Sequence, residues 1–390
     1  MPWETRCLME QRVEFVTRAL SGEESIKSLC EEYGISRVSG YKWINRYRSG
    51  VGVESLRDRS RRPHHSPFKT ASSIEQRIRG LYLEYGWGPK KTRKLLSNKG
   101  IEVPLITVRR IYARNGFNES RNVIGPALKR FERSRPNELL QMDHKGQFMT
   151  NEGRWCYPLS ILDDHSRFCV GLHAVGDQGI STTEGCLIKT FEEYGIPEGM
   201  LMDHGIPWWN SSNLWGLTRL SVGLIKQGIK LSFSGIRHPQ TQGKVERFHR
   251  TLKQYLHRKD RKLTSVSACA ELFKEFRSTY NEIRPHEALD LNPPTSRYVR
   301  SPKEYSPHIK HWEYPEGSTV TQLDNLGRLS YESKRFFVCE ALVNEQVRIV
   351  PLEYTALVIF RDMVIRELDI DTGASKPTVF PVTENFAPWG

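Results

Sequence analysis

Apolar residues recur along the chain with two different periods, and the switch between them divides it. From Met9 to about Arg48 the spacing is helical: Val13, Val16 and Leu20 form one stripe, and Ile26, Leu29 and Tyr33 form a second that ends at Gly34. Ser36 then stands as the N-cap of a third helix, with Val38 and Ile44 toward the core and Arg37, Tyr41, Lys42, Asn45 and Arg46 outward. A helix, a glycine turn and a donor-rich helix is the layout of a helix-turn-helix DNA reader; the alternative is a three-helix bundle with a solvated face. A second unit repeats the layout from Ile74 to Gly116. Its first apolar face is Ile78, Leu81, Tyr82 and Tyr85, followed by a GWGP turn, a helix over 90–98 and a last helix in ITVRRIYARNG. There Val108 and Ile111 face inward, and Thr107, Arg109, Arg110 and Arg114 face outward.

From Glu138 the period becomes that of strands. ELLQMDHKGQFM, WCYPLSILDD and SRFCVGLHAV read as three successive strands, with DDHS as the turn between the last two. A helix over 181–194 follows, then the short strand GMLMD, a tryptophan-rich loop, a helix in LWGLTRLSVGLIKQG, the strand IKLSFS and the helix of HPQTQGKVERFHRTLK. Three antiparallel strands followed by alternating helices and strands is the order of a layered α/β fold whose strand ends present side chains. A further helix, CAELFKEFRSTYNEI, runs into RPHEALDLNPP, where prolines stop it. The short alternating runs from about Asn325 to Pro381 read as a small all-β barrel or sandwich.

The resulting organisation is multidomain: all-α helix-turn-helix units, a central α/β core and a C-terminal all-β module. The boundaries read as 1–55 for the first helix-turn-helix domain, 56–70 for a basic linker, 71–120 for the second and 121–136 for another linker. The core then spans 137–300, a linker 301–324 and a small β-barrel module 325–390. A length of 390 residues agrees with several domains, since single cores seldom grow past roughly 250 residues.

Charge sharpens this division. The net charge is +13, and residues 1–135 alone hold 28 Lys and Arg against 14 Asp and Glu, so the surplus lies in the helical half. That favours a polyanion, with nucleic acid ahead of membrane because no run of about 18 apolar residues exists. Arg59, Arg61 and Arg62 in LRDRSRRPHHSP form an extended basic arm that either follows a DNA groove or is a solvated tether. Seven cysteines without CxxC spacing point to neither a disulfide framework nor a zinc knuckle, and fit a reducing cytoplasm. The first dozen residues carry acids and arginines and no apolar stretch, so no secretory signal is expected.

Three acids end distinct apolar runs. Asp143 follows ELLQM, Asp203 follows GMLM, and Glu246 opens a helix whose inner stripe is Val245, Phe248, Leu252 and Leu256. Arg250 and Lys253 lie four and seven residues beyond Glu246, on its face, with Lys244 beside it. If the acids converge, hard oxygen ligands suit two Mg²⁺ or Mn²⁺ ions for phosphodiester chemistry, and the cations hold phosphate. The alternative is that the aspartates cap strand ends and Glu246 pairs with Arg250. Asp163 and Asp164 sit in the DDHS turn and read as turn caps. His144, His165, His204, His238 and His249 show no HxH or HxxxH spacing, which argues against a zinc site. Trp208 and Trp209 suit either base stacking or core packing.

Taken in order, QMDHKGQF, YPLSILDDHSRF, GMLMDHGIPW, HPQTQGKVERFHRTLK and YNEIRPHEAL resemble the integrase-core transposases of bacterial insertion sequences with N-terminal helix-turn-helix units. The resemblance covers nearly the whole chain. It implies an RNase H-like core in which Asp143, Asp203 and Glu246 are catalytic and bind two Mg²⁺ or Mn²⁺ ions. The implied activity is cleavage at transposon 3′ ends and transfer of the freed hydroxyl to target DNA, without ATP or a covalent protein intermediate. Partners would be transposon-end and target DNA, with a homodimer or larger assembly on DNA and a location in the bacterial cytoplasm, at the nucleoid when DNA-bound. The family commonly has Asp-Asn-Gly where this chain has Asp203-His204-Gly205, a change that bears on efficiency more than on reaction type. Arg284, His286 and Glu287 of RPHEAL match a family motif and read mainly as helix termination and packing, with DNA backbone contact as the alternative. Rivals to a transposase are a non-catalytic DNA-binding regulator, a decayed transposase and a hydrolysis-only nuclease.

Overall fold

The computed structural model describes residues 7–50, 52–59, 69–117, 132–210, 216–234, 243–259 and 262–382. Arg61, Arg62 and His238 lie outside them. The chain forms two compact units, 1–71 and 72–390.

The first unit holds α1 (Leu8–Ser21), α2 (Ile26–Glu32) and α3 (Arg37–Ser49). Ser36 caps α3 as its sequence position predicts, its hydroxyl accepting from the Ser39 amide at 3.2 Å. Phe15, Val16, Leu29, Cys30, Ile44 and Leu56 form the core. At Gly40 a β-carbon would stand 2.6 Å from the Cys30 sulfur, so a side chain there would force α2 and α3 apart. Val38, expected inside, is 81% exposed. Gly40 precedes Ile44 by about one turn and shares its face, whereas Val38, six residues before, lies well round the helix.

The second unit begins with α4 (Ser72–Tyr85), α5 (Pro89–Ser97) and α6 (Leu105–Arg114), closed over Ile78, Leu96, Val108, Ile111 and Tyr112. Next come β1 (Leu140–His144), β2 (Phe148–Met149), β3 (Trp155–Asp163), β4 (Cys169–Val175), α7 (Ile180–Tyr194) and β5 (Gly199–Met202). They are followed by β6 (Trp209–Asn210), β7 (Gly216–Leu217), α8 (Arg219–Lys226), β8 (Lys230–Phe233), α9 (Gly243–Arg258) and α10 (Val266–Ser278). The first expected strand is thus two, broken at Lys145–Gln147. In the central sheet β3 joins β1 and β4 in antiparallel pairs, while β1, β5 and β8 run parallel. β5 is buried along its whole length, the burial expected of a strand covered on both faces. Leu187 and Phe191 of α7 and Leu224 and Ile225 of α8 pack one face. Val245, Phe248, Leu252 and Leu256 of α9 pack the other, with Leu272, Phe273 and Phe276 of α10. At its far end α9 meets the second helical unit, where the Arg258 guanidinium lies 5.6 Å from the Tyr82 ring centroid.

The C-terminal module comprises β9 (Thr319–Gln322), β10 (Arg328–Tyr331), β11 (Lys334–Phe337), β12 (Gln346–Pro351), β13 (Thr355–Phe360), β14 (Met363–Asp369) and β15 (Ser375–Pro381). Two expectations are corrected here. Among the described residues the sheet runs β15-β14-β13-β12-β9 with no ladder between its edges, beside a β10–β11 hairpin, so it is an open sheet and not a barrel. Nor is 301–324 a plain linker: Ser301 is buried with its hydroxyl on the Ile196 carbonyl at 2.6 Å, and β9 lies before the expected boundary at 325. Leu323, Leu329, Phe336 and Val338 share one apolar cluster with the central sheet. Arg361 donates to the Lys226 carbonyl at the end of α8 at 2.6 Å.

Candidate active site

Register places the first two acids together. Leu140 pairs with Met200 and Gln141 with Leu201, so Asp143 and Asp203, each three residues beyond Leu140 and Met200, leave adjacent parallel strands at the same level. α9 lies beside β1, with Val245 and Phe248 packed among Cys156 and Leu162 of β3 and Cys169 and Leu172 of β4, and Glu246 in its first turn is near enough to Asp143 to raise its pKa. The electrostatics register the convergence. The Asp143 carboxyl is pushed up to about 7 by burial and by the negative charges of Asp203 and Glu246. Among the described residues no Lys or Arg forms an ion pair with any of the three acids, Glu246 and Arg250 included. Nor do three or more His, Cys, Asp or Glu side chains already enclose an ion-sized site there. An Asp143 carboxyl whose proton affinity is raised by two neighbouring carboxylates, with no Lys or Arg ion pair among the described residues, fits a hard divalent cation.

Each acid is held differently. The Trp208 indole N–H, buried beneath the loop, donates to the Asp203 carboxylate at 2.8 Å and to the Asp203 carbonyl at 3.0 Å. The Gly205 amide adds a bond at 3.0 Å to the same Oδ1. Trp208 is therefore a structural partner of Asp203 and is closed to stacking on a base, while half-buried Trp209 packs with His204 and Phe233. His204 meets both rings, centroids 4.8 and 5.5 Å away, as an aromatic neighbour. At Asp143 the backbone carbonyl accepts from the Ser160 hydroxyl at 3.1 Å, and that hydroxyl lies 2.5 Å from Nε2 of His249 on α9. His249 is pushed down to about 4 by burial, Lys145 and His144, and His144, stacked on Trp208, is also pushed down to about 4 by burial. Both rings are neutral at pH 7.

The cations divide. Arg250 and Lys253 are exposed on the Glu246 face of α9, and Lys253 is close enough to Lys145 to lower its proton affinity. Lys244 departs from its expected place as a phosphate ligand, because its ammonium is engaged by the fully buried carboxylate of Asp164. Asp164 also accepts from Gln141 Nε2 at 2.7 Å and the Arg133 amide at 2.8 Å. Asp163 accepts from the Ser166 and Asn137 amides at 2.7 and 2.8 Å, so both turn acids are structural. Arg284 stacks 5.5 Å over Tyr280, and His286 is buried edge-on to the same ring. In the helical units Arg37, Tyr41, Lys42, Arg59, Arg109, Arg110 and Arg114 are exposed and Thr107 half-buried. Arg46 is half-buried over Trp43 at 4.9 Å, and Arg114 reaches Glu75 at 3.5 Å. Sequence reasoning missed Trp208 as the holder of Asp203, and Ser160 and Lys145 altogether. The available signal for His249 was its place one turn after Glu246, on the same face.

Models of the integrase core domain match residues 133–239 and 227–294, which together contain all three acids. Residues 133–294 thus match the integrase core domain. A helix-turn-helix domain model matches residues 11–64 and a homeodomain-like domain model residues 39–112, ahead of the integrase-core matches. The central mixed sheet with its flanking helices resembles the RNase H-like integrase core.

Among solved structures, the HTLV-2 integrase catalytic core domain in complex with magnesium is 14% identical, with a TM-score of 0.34, covering 43% of this chain and 99% of that one. The BIV integrase catalytic core is 18% identical at a TM-score of 0.32, covering 41% and 92%. The simian T-cell lymphotropic virus intasome in complex with PP2A regulatory subunit B56 gamma is 14% identical at 0.37, covering 78% and 99%. Among the described residues no helix is long and apolar enough to cross a membrane.

Proposed function

We propose that this integrase-core protein is a DNA transposase. Its helical domains bind the terminal inverted repeats of a mobile element, and its core cleaves the 3′ ends and joins them to target DNA. The observation that carries the reading is the meeting of Asp143, Asp203 and Glu246 at one sheet end, with no Lys or Arg ion pair to any of them among the described residues. Asp143 and Asp203 hold the cation site from the sheet, and Glu246 completes it from α9. Two bound Mg²⁺ or Mn²⁺ ions would supply charge neutralisation at the attacking and leaving oxygens. Trp208 and the Gly205 amide keep the Asp203 carboxylate oriented, while Arg250 and Lys253 hold strand phosphates along α9. Two ends joined to one target require at least a dimer on DNA.

The test combines purified protein, Mg²⁺, labelled terminal DNA of the element and a supercoiled plasmid. Joined products are expected. Cut but unjoined ends would make the protein a nuclease, and a mobility shift without cleavage would make it a binding protein. Removal of Mg²⁺ with chelator is expected to stop cleavage while end binding persists.

End recognition carries its own prediction. Changing Arg37, Lys42 and Arg46 to Ala should weaken binding to the terminal repeat. Arg37→Ala with Lys42→Ala alone should lower the slope of log affinity against log salt by about 0.9 for each phosphate that is no longer neutralised. An unchanged slope would assign both exposed cations to the solvated face of the bundle.

A further inference from the structure

A side-chain contact ties α9 to the central sheet beside Asp143. Ser160 faces Asp143 across the β3–β1 ladder. Its hydroxyl has one proton, and the Asp143 carbonyl, 3.1 Å away, can only accept it. The Ser160 oxygen must then accept its contact with His249, so Nε2 of His249 carries a proton and donates at 2.5 Å. The ring is thereby fixed, with Nδ1 turned to the Asp143 carboxylate, 3.7 Å from Oδ2 and beyond hydrogen-bond reach. His249 lies three residues after Glu246, on the neighbouring turn of the same face of α9.

We propose that His249 and Ser160 are positioning residues that tie α9 to the rung carrying Asp143 and so limit how far Glu246 can move from Asp143 when a divalent cation binds. The apolar stripe of Val245, Phe248, Leu252 and Leu256 already buries α9 and would tolerate small sliding and rotation of the helix. A directional bond from the helix to the rung that carries Asp143 removes that freedom. The relay runs from helix to β3 to β1 through three residues, and neither of its side chains need touch the ion or the DNA. Outer partners of this kind typically change metal affinity by about 10–100-fold when removed.

The inference rests on the metal reading of the three acids, and the two are separable by experiment. Binding of Mn²⁺ alone to the full-length protein is followed by the resonance signal of the free ion, alongside thermal unfolding in the absence of metal. Ser160→Ala and His249→Phe are each expected to weaken Mn²⁺ binding about tenfold. The double variant should be no weaker than either single one, because both break the same relay. His249→Gln, whose side-chain amide presents an N–H toward the Nε2 position, should retain most of the affinity. Wild-type affinity in both Ser160→Ala and His249→Phe, even with lowered stability, would reduce the relay to ordinary packing and overturn the proposal. Multiplying losses in the double variant would overturn it equally. Failure of the wild-type protein to bind Mn²⁺ would remove the metal reading itself.

Discussion

Replacing Asp143 by Asn is expected to lower end cleavage and strand transfer at least about a thousandfold, roughly 4 kcal/mol of barrier, while leaving binding to the terminal repeat intact. Asp203→Asn and Glu246→Gln should match it in activity, because each removes one charged oxygen ligand from a shared site. Retained strand transfer in any one of them would take that residue out of the site. Asp143→Asn has a second expected effect that separates it from an ordinary loss of fold. The carboxyl titrates near 3.8 in the unfolded chain and about 7 in the folded one, so between those values the folded state keeps a proton that the unfolded state has released. The stability that this proton represents is present below about pH 4 and is lost as pH rises through about 7. Asn never ionises. Without metal the variant should therefore melt higher than the wild type at pH 8, with the gap closing toward pH 4. An inactive variant that is less stable at pH 8 would count against the crowding of the three acids.

Lys244→Met is expected to act in the opposite way, destabilising the core by about 3 kcal/mol while leaving the salt dependence of DNA binding unchanged. Its ammonium pairs with the buried Asp164 carboxylate, and removing it leaves that charge, among the described residues, with the Gln141 and Arg133 donors. Burial pushes the Lys244 pKa down and Asp164 pulls it back up, so the pair is sustained by direct contact. Changing Asp164 to Asn in the same chain should recover much of the loss, since both charges then disappear together. Denaturant unfolding measures both variants. A drop in salt slope with unchanged stability would instead return Lys244 to the phosphate-binding set, beside Arg250 and Lys253.

Much of the architecture was legible because it follows from local spacing. The stripe on α9 was readable from Val245 to Leu256, and Ser36 was recognisable as a cap from its place before a helical run. The two turn aspartates were separable from the candidate acids because DDHS lies between two strand-like runs. Val38 was misplaced because an apolar residue in a short helix can be assigned to a face only once the helix's rotation is known, and Gly40, not Val38, proved to share the Ile44 face. The C-terminal module was read as a barrel because alternation reports strands and not whether the sheet's edges meet.

The amino-acid sequence by itself determined the helical and strand segments, the concentration of positive charge in the first third and the three acids at the ends of apolar runs. These depend on neighbours two to four positions apart, and backbone geometry fixes such relations whatever the rest of the chain does. Tertiary structure alone decided that Asp143 and Asp203 leave adjacent strands at one level, that Trp208 orients Asp203, that Lys244 serves Asp164, and that Ser160 ties His249 to the Asp143 strand. Lys244 and Asp164 are 80 positions apart, Ser160 and His249 89. Partners at such separations are chosen by strand register and by the rotation of α9 on the sheet, and both are set by packing of the whole core.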